Sequence, residues 1–198
     1  MDKTLNYYKE NAEKYAEQTL PVNFSASQDR FLKKLKSGSH ILDFGCGAGR
    51  DSKYFLDHGY AVTAVDGSQE LCDIASCYTG QSVRQMLFQE LDEADVYDGI
   101  WACASILHLQ INELNEVFRK MITALKMDGI IYSSFKYGLF EGERNERWFT
   151  DFSEEKMDTF LLNFPELTLE DIWESYDVRP GREEEKWLNI ILRKTVSL

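Results

Sequence analysis

The sequence predicts a single doubly wound α/β domain: a seven-stranded sheet flanked by helices, with an antiparallel hairpin strand at its C-terminal end and helices ahead of its first strand. Three observations point there. Short apolar runs alternate with amphipathic stretches through the first two thirds of the chain, as in a parallel sheet covered by helices. The last third changes to two long alternating segments around a Pro-Gly turn, the pattern of an antiparallel hairpin. A glycine-rich loop directly follows the first apolar run, where open α/β sheets bind ligands. The 198 residues leave room for one domain, spanning 1–198, with a sizeable core.

Taken in order, helical segments at 4–19 and 25–35, separated by Pro21, make residues 1–38 an N-terminal helical lid on a core of 39–198. Tyr8 and Tyr15 lie two turns apart on one face of the first segment. They either pack against the sheet or touch a ligand at the strand ends. Strands at 40–44, 61–66, 83–88, 98–104 and 129–135 alternate with helices at 51–58, 68–77 and 112–125, a βαβαβ series followed by βαβ. After a helix near 153–163, strands at 167–177 and 187–195 are joined by Val178-Arg179-Pro180-Gly181. The glycine- and charge-rich stretch 136–147 reads as the least structured part of the chain.

Lysine and arginine number 22 against 34 acidic residues, a net charge of −12. This balance disfavours nucleic-acid phosphates and anionic bilayers and favours a small-molecule partner. No run approaches the roughly 20 apolar residues of a membrane span, and the N-terminal stretch lacks a signal peptide's apolar region, so a cytoplasmic protein, monomer or homodimer, is expected. Residues 151–185 hold twelve acids against three bases and read as a solvated outer face. Cys46, Cys72, Cys77 and Cys103 show no metal-ligand spacing; they are expected as reduced thiols, with no metal.

The motif that carries chemistry is Asp43-Phe44-Gly45-Cys46-Gly47-Ala48-Gly49, at the end of an apolar strand and leading into a helix. Glycines there let the backbone turn sharply and approach a ligand. A dinucleotide pattern G-x-G-x-x-G needs glycine at position 50, which is Arg50. The second strand ends in Ala64-Val65-Asp66-Gly67-Ser68, and a carboxylate at Asp66 can accept both ribose hydroxyl protons of either kind of cofactor.

Asp43 followed by G-x-G-x-G resembles motif I of the class I S-adenosylmethionine-dependent methyltransferases. The resemblance implies a Rossmann-like core and S-adenosyl-L-methionine as cofactor. It places Asp43, Gly45, Cys46 and Gly47 under the methionine moiety, Asp66, Gly67 and Ser68 at the ribose, Leu87 and Phe88 around the adenine, and Cys103 and Ala104 beside the methyl group, with Tyr8 and Tyr15 on the lid. Ala124-Leu125-Lys126-Met127-Asp128-Gly129 looks like the family's L-K-P-G-G turn, with Met127 and Asp128 replacing the proline and first glycine. Residues 47–55 and the small size resemble the bacterial branch related to tellurite-resistance methyltransferases, implying a small-molecule acceptor, a metalloid or thiol among them.

His108, just after the fourth strand, either serves as a general base toward the acceptor or is a buried, hydrogen-bonded residue. Arg50 either meets an anionic acceptor or the cofactor's carboxylate, or pairs with Asp51. Arg144, Arg147 and Trp148 offer groups for an anionic or planar acceptor. The N-P-P-Y or D-P-P-Y tetrapeptide of amino-methylating nucleic-acid enzymes is absent, as is a Pro-Cys nucleophile, which argues further against nucleic acid. Two other readings stand beside the methyltransferase: a binding protein that holds the cofactor without turnover and acts through a partner, and an NAD-dependent oxidoreductase.

Overall fold

A computed structural model describes residues 3–195; the outermost positions of the expected 1–198 domain, residues 1–2 and 196–198, lie outside the described residues. The chain runs α1 (Lys3–Glu10), α2 (Ala12–Thr19), α3 (Ser25–Leu32), β1 (His40–Phe44), α4 (Arg50–Asp57), β2 (Ala61–Asp66), α5 (Gln69–Thr79), β3 (Arg84–Gln85), β4 (Tyr97–Ala102) and α6 (Ile111–Ala124). It continues through β5 (Leu125–Lys136), β6 (Glu141–Arg144), β7 (Arg147–Thr150), α7 (Glu154–Leu161), β8 (Leu167–Tyr176) and β9 (Lys186–Lys194). Seven strands form one sheet in the order β3-β2-β1-β4-β5-β9-β8. The first five run parallel, and β9 is antiparallel to both β5 and β8. This is the doubly wound Rossmann-like fold with an antiparallel hairpin that the sequence predicts. The chain order reverses between β1 and β4, which opens a crevice at their carboxyl ends.

Successive side chains on a strand face opposite sides of the sheet. On one side Leu42, Phe44, Ile100, Ile131 and Ile190 meet Leu114, Val117 and Phe118 of α6 and Met157 and Phe160 of α7. On the other, Ile41, Trp101, Ile130 and Tyr132 meet Phe31 of α3 and Phe55 of α4. Trp101 and Tyr132 stack with ring centroids 3.8 Å apart. Full burial of such side chains contributes about 1.5–3 kcal/mol each, which fixes the strands whose ends build the site.

Several expectations are corrected. The helix expected over 4–19 breaks at Asn11, whose side-chain amide donates to the Tyr7 carbonyl at 2.8 Å. The 1–38 lid divides: α1 and α2 lie over the strand ends, whereas α3 belongs to the core through the fully buried Phe31. The third strand, expected over 83–88, pairs only at Arg84–Gln85 because it is the sheet edge and the chain turns into a 3-10 helix at Phe88–Glu90. The stretch 136–147 is structured: β6 and β7 form an antiparallel hairpin in which Arg144 faces Arg147 across Asn145 and Glu146, both left-handed at φ +48° and +64°. Two left-handed residues make a two-residue hairpin turn, a geometry that asparagine favours.

The acidic stretch 151–185 is not simply a solvated face. Asp171 pairs with Arg30 at 2.5 Å, Glu170 with Lys34 at 3.0 Å and Glu174 with Lys186 at 2.8 Å, tying the outer strand to its surroundings. Asp128 adopts φ +63° where the resembled turn carries glycine. Among the described residues no helix is long and apolar enough to cross a membrane.

Candidate active site

The loops after β1 and β2 are tied together by one carboxylate. Asp66 accepts the main-chain N–H of Gly47 on one oxygen and that of Ser68 on the other, both at 2.9 Å. Burial raises its pKa, and these main-chain donors oppose the rise. Ser68 caps α5 by accepting the Leu71 N–H at 3.3 Å. Gly47 is left-handed at φ +56°, and a Cβ there would lie 2.9 Å from the Tyr15 ring; one on Gly67 would lie 2.7 Å from Leu5 Cδ2. The lid therefore rests directly on the bare backbone of both loops, and Tyr15 faces the site rather than only the sheet.

Asp43 is buried and accepts the Ser52 hydroxyl at 2.6 Å. Burial, and then the neighbouring Asp51, hold its pKa well above the usual carboxylate range. Asp51 goes the other way. Burial raises its pKa, but the paired Arg50 charge and hydrogen bonds from Arg50, Trp101 and Gln28 lower it further, for a net downward shift. Arg50 forks onto Asp51 at 2.7 and 2.9 Å and lies over the Phe24 ring, so the pairing within the chain is the one formed. Phe88 packs edge-on against Phe44, and Leu87 is exposed.

At the mouth of these loops lies a cavity of about 550 Å³. Tyr8, Tyr15, Gly45, Cys46, Arg50, Cys103, Ala104, His108, Arg144 and Arg147 line it. Asp43, Gly47, Asp66, Gly67, Ser68, Leu87, Phe88 and Trp148 do not. The Trp148 indole turns to Thr150, to which it donates at 3.1 Å, and it is the Trp148 main chain that serves the site. Arg144 pairs with Asp151 and lies over Phe140. Ala104 holds a left-handed φ of +51°, its N–H donating to Ser134 Oγ at 2.8 Å. The Cys46 and Cys103 thiols are pushed up by burial, Cys103 to about 12, so both are protonated at neutral pH.

His108 is buried, with Nδ1 2.6 Å from the Trp148 carbonyl oxygen and Nε2 2.9 Å from the Tyr8 hydroxyl. A carbonyl only accepts, so Nδ1 carries the proton and Nε2 accepts from Tyr8. Burial lowers its pKa to about 4, with Arg147 adding to the fall and the Trp148 carbonyl opposing it. The imidazole is neutral at pH 7 and lines the cavity beside Tyr8, to which it is hydrogen-bonded.

Sequence reasoning missed the other wall. Asp177, Arg179, Arg182 and Glu185 line the cavity from the turn joining β8 to β9, together with Trp187 of β9 and Asp51 of α4. Four of these, Asp177, Arg179, Arg182 and Glu185, fall within the stretch 151–185 read as an outer face, and Asp151 at its start lines the cavity as well. The signal was topological: a last strand antiparallel to β5 brings its hairpin turn to the carboxyl end of β5, and the Tyr137 N–H donates to the Lys186 carbonyl there. Among the described residues no group of three or more His, Cys, Asp or Glu side chains is placed to hold a metal ion.

Residues 41–129 match the family model described as "Methyltransferase domain". The methyltransferase candidate YqeM of Bacillus subtilis is 32% identical over 127 residues, 56% of this chain and 51% of that protein. The chain spans about half the length of this relative. The Burkholderia thailandensis 1,6-didemethyltoxoflavin-N1-methyltransferase, solved with bound 1,6-didemethyltoxoflavin and S-adenosylhomocysteine, superposes with a TM-score of 0.75 at 22% identity, over 96% of this chain and 85% of that one. A Rhodobacter sphaeroides structure named as a Zn-dependent alcohol dehydrogenase candidate superposes at 0.78 with 13% identity, over 98% and 99%. At such identities both likenesses speak for the fold.

Proposed function

We propose that this chain is an S-adenosyl-L-methionine-dependent methyltransferase acting on a small-molecule acceptor, a cytoplasmic monomer or homodimer without nucleic-acid or membrane partners. The observation that carries the reading is the Asp66 carboxylate, held by the main-chain N–H groups of Gly47 and Ser68 at the ends of β1 and β2 and so fixing the glycine loop whose Gly45, Cys46 and Ala48 line the 550 Å³ cavity.

The residues present fit the cofactor. Each Asp66 oxygen accepts one main-chain N–H and keeps a further acceptor site for a ribose hydroxyl. Asp43, once ionised, would suit the cofactor's ammonium, and the Gly45–Gly47 backbone would lie beneath the methionine moiety. Leu87 and Phe88 would hold the adenine end, and Cys103 and Ala104 with Tyr8 and Tyr15 the methyl end. When bound, the cofactor supplies an electrophilic methyl group on a sulfonium and leaves as S-adenosyl-L-homocysteine.

The chain's own task is to hold a nucleophile aligned and dry at the end of β4. α1 and α2 exclude water from above. Tyr8 can accept an acceptor's proton on its hydroxyl oxygen while passing its own to His108 Nε2, which makes His108 the base and Tyr8 its reach into the cavity. An acceptor that is already a lone-pair donor, such as a thiolate or a reduced metalloid, needs only the alignment.

The test is transfer of labelled methyl from the cofactor to a panel of thiols, phenols, small amines, selenite and tellurite. Turnover on one class supports the reading and names the acceptor group. Cofactor binding with no turnover across the panel favours the binding-protein reading, and tight NAD binding would overturn both.

A further inference from the structure

The cavity is basic although the protein is acidic. Seven lysines and arginines line it against four carboxylates, in a chain whose net charge is −12. Six of the seven are already paired. Arg50 holds Asp51, Arg144 holds Asp151, Arg179 holds Asp177, Lys136 lies 3.6 Å from Asp177, Arg182 lies 3.9 Å from Glu185, and Lys186 holds Glu174.

Arg147 differs. Among the described residues it has no carboxylate partner, its buried Nε has no hydrogen-bond partner, and its guanidinium makes only a long 3.5 Å donation from Nη1 to the Tyr8 hydroxyl. The guanidinium carbon lies over three rings instead, 4.2 Å from the Tyr7 centroid, 5.3 Å from Phe149 and 5.8 Å from Tyr8. An aromatic shelf fixes a guanidinium's plane but does not neutralise it, and a planar fork matches a carboxylate in two parallel hydrogen bonds.

We infer that the methyl acceptor is a small organic acid whose carboxylate is taken by Arg147, beside the Tyr8 hydroxyl. This rests on the methyltransferase reading above. One unpaired guanidinium matches one negative charge; a phosphate monoester would ask for a second free cation, and the remaining six are engaged. The aromatic side chains around the fork favour a planar body behind the carboxylate. Arg147 thus acts as a specificity determinant, with Tyr8 marking the reacting end.

The experiment uses the full chain, ¹⁵N-labelled and saturated with S-adenosylhomocysteine. The probes are a panel of small aromatic and aliphatic carboxylates, each matched with its primary amide and, for comparison, its phosphate analogue. Carboxylates are expected to move the Arg147 Nε–H resonance, assigned by its loss in Arg147→Lys, and to bind at least tenfold more tightly than their amides. Arg147→Gln should abolish that discrimination and Arg147→Lys should reduce it. If S-adenosylhomocysteine binds but no carboxylate is preferred over its amide, if phosphates are preferred, or if Arg147→Gln keeps the discrimination, the acceptor assignment falls while the methyltransferase reading stands. Failure of S-adenosylhomocysteine itself to bind would overturn the methyltransferase reading, and this inference with it.

Discussion

The Tyr8 hydroxyl donates to His108 Nε2 at 2.9 Å, while His108 Nδ1 donates to the Trp148 carbonyl at 2.6 Å. One hydrogen-bonded line therefore fastens the lid helix α1 to the loop after β4 and to β7, and it requires a neutral imidazole.

Acid should loosen this line. The His108 pKa falls from 6.5 to about 4 in the folded chain, chiefly through burial. A depressed histidine contributes stability that is complete above its unfolded pKa near 6.5 and is lost as pH falls toward 4, about 3 kcal/mol at most. Urea denaturation from pH 4.5 to 7.5 should show His108→Gln with a shallower acid loss than wild type. Parallel curves would remove His108 from the acid response.

Tyr8→Phe keeps the ring, whose centroid is 5.3 Å from that of Tyr15, but takes the donor from His108. We expect a stability loss of about 1 kcal/mol. For acceptors that must lose a proton, kcat should fall by roughly 10²-fold or more with little change in S-adenosylhomocysteine affinity. An unchanged kcat on such an acceptor would exclude the relay.

Asp43 couples stability to binding. Its folded pKa lies above the unfolded value, so the chain is most stable with Asp43 protonated and loses that contribution as pH rises through the folded pKa. Asp43→Asn should raise Tm relative to wild type, increasingly so at higher pH, while weakening S-adenosylhomocysteine binding, whose ammonium prefers a carboxylate. Scanning calorimetry and titration at pH 6 and 9 check both halves. A variant that is less stable at pH 9 would contradict the assignment.

Asp128 stands left-handed where glycine is the unstrained residue. Asp128→Gly should stabilise by about 1 kcal/mol in urea denaturation without altering cofactor binding. A destabilised variant would show that the aspartate side chain contributes more than its backbone costs.

Much of this was legible in the sequence because the signals were local. The runs at β1, β2, β4 and β5, the glycine loop and Asp66 all follow from periodicity and short motifs. What was not legible depends on tertiary contact. Arg50 and Asp51 are adjacent in sequence, but Gln28 and Trp101, which fix the pair, come from other elements. The hairpin at 141–150 was hidden because its two-residue turn uses Asn-Glu rather than Asn-Gly. The Asp177–Glu185 wall was hidden by its charge, which read as solvent-facing until the antiparallel β9 carried it to the mouth of the site. His108 and Arg147 are both visible in sequence, but only the fold gives them opposite states, one hydrogen-bonded at both nitrogens and one without a carboxylate partner among the described residues.

The most direct test of the account is isothermal titration of S-adenosylhomocysteine into the full chain and into Asp66→Ala. The Asp66 carboxylate is central to the cofactor assignment and also holds the Gly47 and Ser68 amides. We predict one-to-one binding to the wild type and a loss of at least tenfold in the variant, with the folded state verified by its thermal transition. Equal affinity in the two proteins, or preferential binding of NAD by the wild type, would contradict it.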